Sequence, residues 1–194
     1  MLTFDENARE ILLTGRIDGE DARKISKIKF DGRSSYVLTI DDSTGGNVVD
    51  ALYIYDTLSL IDCVGVVKTR ADSAAAVILQ ACKLRFIVAS ANMFLHAVGI
   101  RKNYYSWEND IRRSLSQAIR EYPKKEDMIK NINIDALTSK VLNLSESFWI
   151  QGKIEFVLKN RMNTSPSEFK KIMLEGKDFS SLQALQYGLV DLVI

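Results

Sequence analysis

The sequence predicts an α/β fold in which strands pair in parallel through helical crossovers. Short apolar runs bounded by Gly, Asp and Ser alternate with apolar-periodic stretches of ten or more residues, and only Pro123 and Pro166 interrupt the chain. Strands that alternate with helices of this length need crossover connections, which are typical of an α/β core.

The individual elements follow from the same patterns. Strands are predicted at 10–14, 36–40, 63–68, 84–89 and 93–98, and helices at 18–30, 48–61 and 73–82. The stretch 106–171 is strongly charged and predicted to be mostly helical, with breaks at Pro123 and near 163–166. A last helix is expected to end at Gly188, before a terminal strand with the sequence LVDLVI.

Composition excludes several classes of protein. The 26 basic and 25 acidic residues nearly cancel, so no basic surface for nucleic acid is indicated. The acidic start does not fit a secretory signal, and no apolar run is long enough to span a membrane, so we expect a cytoplasmic protein. We interpret Cys63 and Cys82 as buried thiols, and with only one histidine in the chain we predict neither a metal site nor a cofactor.

Three features with chemical potential lie at the ends of predicted strands. The first is the turn DSTGG at 42–46, whose two glycines allow a sharp turn and can present backbone N–H groups to a bound group. An ordinary connection between a strand and a helix explains the same residues, and for this motif alone we favour that explanation.

The second feature is Ser73, which lies between the strand VGVVK and an alanine-rich helix. A serine at such a junction lies where unpaired N–H groups stabilise developing negative charge, and the small neighbours would admit a substrate. The alternative is that Asp72 or Ser73 simply caps the helix.

The third feature is His96, which follows the apolar run MFL and is the only histidine. A single histidine on an apolar face is more often a core residue than a catalyst. Its pKa near neutrality nevertheless suits a general base, and activation of a serine requires such a base within hydrogen-bond reach.

Taken in order, these motifs resemble the proteolytic subunit of the Clp protease, in the superfamily that includes the crotonases. The segments that carry the resemblance are ILLTG, STGG with the helix containing IYDT, ADSAA around Ser73, KLRFIVASANMFLHA and the C-terminal SSLQALQYGLVD. The resemblance covers about two-thirds of the chain. It implies a single domain over 1–194, folded as a spiral of repeated β-β-α units.

The resemblance also assigns roles to residues. Ser73 corresponds to the nucleophile and His96 to the base, while the backbone N–H groups of Gly46 and Ala74 correspond to the oxyanion hole. It implies a serine-type endopeptidase that cleaves peptides or unfolded protein without a cofactor, assembled as a homo-oligomeric ring. The family's partner is a separate ATP-driven unfoldase of the AAA+ class.

The chain departs from the family pattern at several points. Thr44 replaces a proline before the two glycines, and Arg70 and Asp72 bring charge close to the serine. Gly176 occupies the position of the catalytic aspartate, so Asp178, two residues later, is the candidate for the third member of the triad.

A further departure is an insertion at about 101–145, predicted to be helical, before a helix at about 147–162 that resembles the family's handle helix. We interpret the insertion either as a solvated helical pair or as a subunit contact or lid. Two alternatives to an active peptidase follow from the departures and the fold: a weak or inactive structural or regulatory subunit, and a crotonase-like enzyme acting on acyl-CoA.

Overall fold

A computed structural model of the chain describes residues 1–32, 34–97 and 149–194. The predicted insertion at 101–145 lies outside the described residues, as does the start of the handle-like helix. The chain divides into two compact units, Met1–His96 with Lys153–Ile194 and Ala97–Gly152. The elements described below belong to the first unit, except for the first residues of the fourth helix.

The described residues form strands singly or in consecutive pairs, separated by helices. The strands are β1 (Leu2–Asp5), β2 (Glu10–Ile17), β3 (Tyr36–Gly46), β4 (Cys63–Val67), β5 (Arg70–Asp72), β6 (Leu84–Ile87), β7 (Asn92–Leu95), β8 (Lys177–Ser180) and β9 (Leu192–Val193). The helices are α1 (Gly19–Ile25), α2 (Val48–Ser59), α3 (Ala74–Leu79), α4 (149–159), α5 (Pro166–Glu175) and α6 (Ser181–Gln186). The mixed α/β class predicted from the sequence is confirmed.

Most strands in the sheet are parallel. The strand order is β8-β7-β5-β3-β4-β6-β9, and β2 also pairs with β3. The pairs β2–β3, β3–β4, β4–β6 and β6–β9 are parallel, whereas β1–β2 and β7–β8 are antiparallel. Strand β3 pairs with β4 through residues 36–40 and with β5 at Ser43 further along, so it joins the two parts of the sheet.

The core lies between one face of the sheet and the helices α2 and α3. Alternate residues of the strands point to this face, and every residue of α3 is buried. A helix that is apolar on all sides needs such a fully enclosed position. The two cysteines are buried and free as expected, with their sulfur atoms 3.6 Å apart.

The C-terminal strand is attached to this core through an ion pair. The Arg85 side chain, which is 5% exposed, contacts Asp191 at 2.6 Å and also donates to the Gln80 side chain and the Gly188 carbonyl. The carboxylate of Asp191 additionally accepts the backbone N–H of Arg85 at 2.8 Å. These contacts hold the segment after α6 next to β6, where β9 can pair.

The structure differs from the predictions mainly at short elements and element ends. Strand β3 continues through the segment predicted as a glycine turn, and β5 forms where only a connection was expected. Helix α1 ends at Ile25, five residues before the predicted end. Among the helices in the described ranges, none combines the length and apolar character that crossing a lipid bilayer requires.

Candidate active site

The end of β3 forms one wall of the candidate site. Gly45 has a φ of +77°, and a Cβ added there would lie 2.6 Å from the Asp72 carbonyl and 2.9 Å from the Ser73 Cβ. A Cβ on Gly46 would lie 2.2 Å from the Ile17 carbonyl. Both glycines are therefore required by close approach, and at Gly45 the neighbouring atoms belong to the predicted nucleophile and the residues on either side of it.

Ser73 lies at the turn between β5 and α3 in a conformation that is rare for a residue with a side chain. Its φ is 54° and its ψ is −118°, and its side chain makes no capping hydrogen bond to α3. The alternative interpretation of Ser73 as a helix cap is therefore wrong. A non-glycine residue held at positive φ costs about 1–3 kcal/mol, and such strain concentrates at functional sites.

A backbone hydrogen bond connects Ser73 to the strand that leads to His96. The Ser73 N–H donates to the Phe94 carbonyl at 2.6 Å, and His96 follows two residues later, just beyond the end of β7. Parallel pairing of β5 with β7 sets this register, with Asp72 opposite Phe94. Ser73 and His96, 23 positions apart in the chain, are therefore brought to the same end of two neighbouring strands.

The surroundings of His96 contain an aromatic ring that sequence reasoning did not consider. The rings of Phe94 and His96 are stacked, with centroids 5.3 Å apart and planes inclined by 30°. Gly176 lies beside both residues: a Cβ added there would be 2.9 Å from Phe94 Cζ and 3.8 Å from His96 Cβ. The Phe94 ring thus lies against the position that the resemblance assigns to the catalytic aspartate.

Two carboxylates flank Phe94 on neighbouring strands. Asp72 is its partner on β5 and Asp178 is its partner on β8, and residues opposite each other in a sheet share a face. The Asp72 side chain is 16% exposed and contacts Arg70 at 3.5 Å, whereas Asp178 is exposed.

Burial is the main cause that raises the pKa of Asp72, and the positive charge of Arg70 opposes it. The negative charge of Asp178 also raises this pKa, and His96 acts to lower it. Asp72 therefore interacts electrostatically with both Asp178 and His96.

The two residues predicted to supply the oxyanion donors are Gly46, at the end of β3, and Ala74, at the start of α3. Gly46 pairs in register with Ile17 on β2, and the Asn47 N–H donates to the Ile17 carbonyl. Three residues earlier, Ser43 pairs with Ala71 on β5, the strand that leads to the Ser73 turn. The Ala74 nitrogen lies 2.9 Å from the position of a Cβ on Gly45, and the first N–H groups of a helix have no acceptor within it.

The structure thus gathers the residues singled out from the sequence around the Ser73 turn and the β7–β8 pair. The contact that joins the serine and histidine segments is the backbone hydrogen bond from Ser73 to Phe94. A hydrogen bond between the Ser73 and His96 side chains stays a prediction. Sequence reasoning missed the contributions of Phe94 and Asp72, although Asp72 was noted as a departure from the family. Within the described ranges, no group of three His, Cys, Asp or Glu side chains could hold a metal ion.

The chain was compared with models of known protein families. A family model described as Clp protease matches residues 5–115, which is more than half of the chain and includes the glycine turn, Ser73 and His96. The matched range ends before Gly176 and Asp178. No curated protein sequence matches the chain.

Proposed function

The chain belongs to the Clp protease family, and from this premise we propose that it is a serine-type endopeptidase. The substrate class is a peptide or unfolded protein, cleaved by acyl transfer from the substrate carbonyl to Ser73 and then to water.

The conformation of Ser73 is the observation that carries the proposal. Ser73 has a φ of 54° on a tight turn between a strand and a helix, and its hydroxyl makes no capping hydrogen bond to that helix. The same strand–turn–helix arrangement presents nucleophilic serines in other hydrolases. Simple packing would not require a strained serine pressed against Gly45, whereas presentation of a nucleophile does.

The proposed mechanism uses His96 as the base. As the Ser73 oxygen attacks the carbonyl carbon, His96 takes the hydroxyl proton and the carbonyl oxygen becomes an oxyanion. The N–H groups of Gly46 and Ala74 stabilise that charge. The C–N bond then breaks as His96 protonates the leaving amine, and a water molecule, activated by the same histidine, hydrolyses the acyl-serine ester.

A carboxylate near His96 would stabilise the imidazolium that forms in each half-reaction. Asp178 was the candidate from the sequence, and its place opposite Phe94 keeps it in the proposal. Asp72 is the stronger candidate because its side chain is less exposed and its pKa responds to His96. Both carboxylates therefore enter the proposed site as electrostatic partners of the histidine.

We propose the ring assembly and the unfoldase partner on the basis of family membership and one surface. The sheet face opposite the core carries exposed apolar side chains. Val37 on β3 and Leu84 on β6 both pair with Val64 on the intervening β4, and Leu192 on β9 pairs with Phe86, two residues after Leu84. Exposed apolar patches of this kind mark protein-binding surfaces. The order of β4, β5 and α3 also supports the proposed spiral of β-β-α units, with the insertion at 101–145 as its extra segment.

The test of catalysis is labelling by a fluorophosphonate probe, followed by intact mass. Ser73 should displace fluoride and gain one phosphonyl group, and Ser73→Ala should abolish the reaction. Ser26→Ala is the matched control, because that exposed serine donates only to a helix carbonyl and should leave labelling unchanged. His96→Ala should reduce labelling by about two orders of magnitude or more.

The outcomes separate the proposal from its alternatives. No labelling of the folded wild-type protein would contradict the peptidase and favour a structural or regulatory subunit. Stabilisation by a CoA thioester without labelling would favour a crotonase-like enzyme. Mass by light scattering tests the ring, since a monomer at micromolar concentration would contradict it. The cytoplasmic location stays a prediction.

A further inference from the structure

The space beside Gly176 is filled by an aromatic ring. Phe94 Cζ lies 2.9 Å and Cε2 3.2 Å from where a Cβ on Gly176 would be. Gly176 has a φ of +78°, in the left-handed region that L-residues avoid. An aspartate at this position would meet both a strained backbone and an occupied space, so this chain cannot orient its histidine from residue 176.

The same ring is in contact with the histidine. Phe94 and His96 are two residues apart on one strand, and their rings are stacked at 5.3 Å. The backbone of Phe94 is held by the Ser73 N–H and by its pairing with Asp72 and Asp178. Phe94 is thus anchored from the two strands on either side of it, β5 and β8, and its ring presents a flat surface to the imidazole.

From this geometry we propose that Phe94 is the positioning residue of His96. Its ring, seated against Gly176, fixes the orientation of the imidazole by stacking, in place of a hydrogen bond from a carboxylate at residue 176. Offset stacking constrains the plane of the imidazole, and a cationic imidazolium is also attracted to the ring face. The catalytic consequence rests on the proposed role of His96 as base.

The experiment uses the single histidine of the chain. His96 alone contributes imidazole Cε1–H and Cδ2–H signals, which can be assigned without ambiguity in the NMR spectrum of the full chain. Stacking on an aromatic ring displaces these signals upfield. Phe94→Leu should move them downfield, Phe94→Tyr should keep them near their wild-type positions, and Phe86→Leu, on β6, should have no effect.

A second variant displaces the ring without deleting it. Gly176→Ala places a methyl group within 2.9 Å of the ring, so the ring must move and the His96 signals must shift. Gly32→Ala is the matched control, because Gly32 has a similar φ of +67° but no atom within 4 Å of the added Cβ. This pair separates loss of the stacked ring from the general cost of a side chain at positive φ.

The labelling rate gives the catalytic readout. Phe94→Leu should slow fluorophosphonate labelling about tenfold, since a displacement of about 1 Å can cost about a hundredfold and loss of the stacked ring should move the imidazole by less. Phe94→Tyr should restore the rate. His96 signals that do not respond to either Phe94→Leu or Gly176→Ala would overturn the inference. A folded Phe94→Leu variant that labels as fast as wild type would also overturn it.

The two proposals fail in different ways. Absence of labelling in the wild-type protein overturns the peptidase proposal. The NMR signals of His96 would still test whether Phe94 orients the imidazole, because they do not depend on catalytic activity. Labelling that depends on Ser73 and His96 but not on Phe94 leaves the peptidase in place and overturns only the positioning role.

Discussion

The two sides of the candidate site are built differently. The serine side is held by backbone: Gly45 touches the Ser73 turn, Gly46 touches Ile17, and Ser73 itself is held at positive φ. The histidine side is held by side chains: the Phe94 ring and the carboxylates of Asp72 and Asp178. Backbone contacts leave no space for substitution, whereas side-chain contacts can be altered gradually, so the serine side should be far less tolerant of mutation.

The largest expected effect is therefore on the serine side. Gly45→Ala places a Cβ 2.6 Å from the Asp72 carbonyl at a φ of +77°, which should lower the free energy of unfolding by about 3 kcal/mol and abolish labelling. Gly32→Ala carries only the backbone cost, about 1 kcal/mol. Urea unfolding of the two variants measures the difference. Equal losses of stability in the two variants would contradict the conclusion that close contact between Gly45 and the Ser73 turn requires a glycine.

The second largest effect on stability is expected at Asp191, a carboxylate that stabilises the fold and has no proposed role in catalysis. Burial acts against ionisation of Asp191, but hydrogen bonds from Arg85 and its positive charge prevail and lower the pKa of this carboxyl. Asp191→Asn leaves the buried Arg85 without its counter-ion, so the free energy of unfolding at pH 7 should fall by about 2 kcal/mol.

The pH dependence has a definite sign. A carboxyl whose pKa is lower in the folded than in the unfolded state contributes stability above its unfolded pKa. This stability is lost as the pH falls below about 4 and through the folded value. The difference in melting temperature between wild type and Asp191→Asn should therefore narrow in acid. A difference that is constant from pH 7 to pH 3 would contradict the ion pair as its cause.

The smallest expected effect on stability is at Asp72. Burial raises the pKa of this carboxyl, so its ionisation costs stability as the pH rises through the folded pKa. Asp72→Asn should therefore change the free energy of unfolding at pH 7 by no more than about 1 kcal/mol, toward stabilisation.

The effect of Asp72→Asn on chemistry should be larger than its effect on stability. Loss of the Asp72 charge, which would stabilise the imidazolium formed during attack, should slow labelling by about one order of magnitude, a fraction of what general-base catalysis contributes. Asp178→Asn, at the more exposed carboxylate, is the matched comparison and should slow it less. If Asp178→Asn slowed labelling more than Asp72→Asn, Asp178, the residue selected from the sequence, would be the better candidate for the third member of the triad.

The parts of the fold that were predicted correctly are those with local signals. The helix α2 begins after Asn47, whose side chain caps it, and ends within two residues of the predicted end. The valine-rich β4 and the strand β6 begin at the predicted residues. These segments are long enough for apolar periodicity and turn residues to define them.

The missed strands are short and depend on their neighbours. β5 has three residues, Arg70–Asp72, two of them charged, and exists because β3 and β7 lie on either side of it. β8 is a strand through its antiparallel pairing with β7, more than 80 residues earlier in the chain. No local pattern indicates such pairings, because the partner supplies the hydrogen bonds.

The sequence by itself determined the α/β class, the order of the motifs and the choice of Ser73 and His96, because these depend on residue type and local spacing. Only the tertiary structure decided that Ser73 is strained rather than a cap, that Phe94 lies against Gly176, and that Asp72 is the less exposed carboxylate near the histidine. These facts arise from backbone approach and strand register between distant segments. They follow from how the chain folds back on itself, which local residue patterns do not specify.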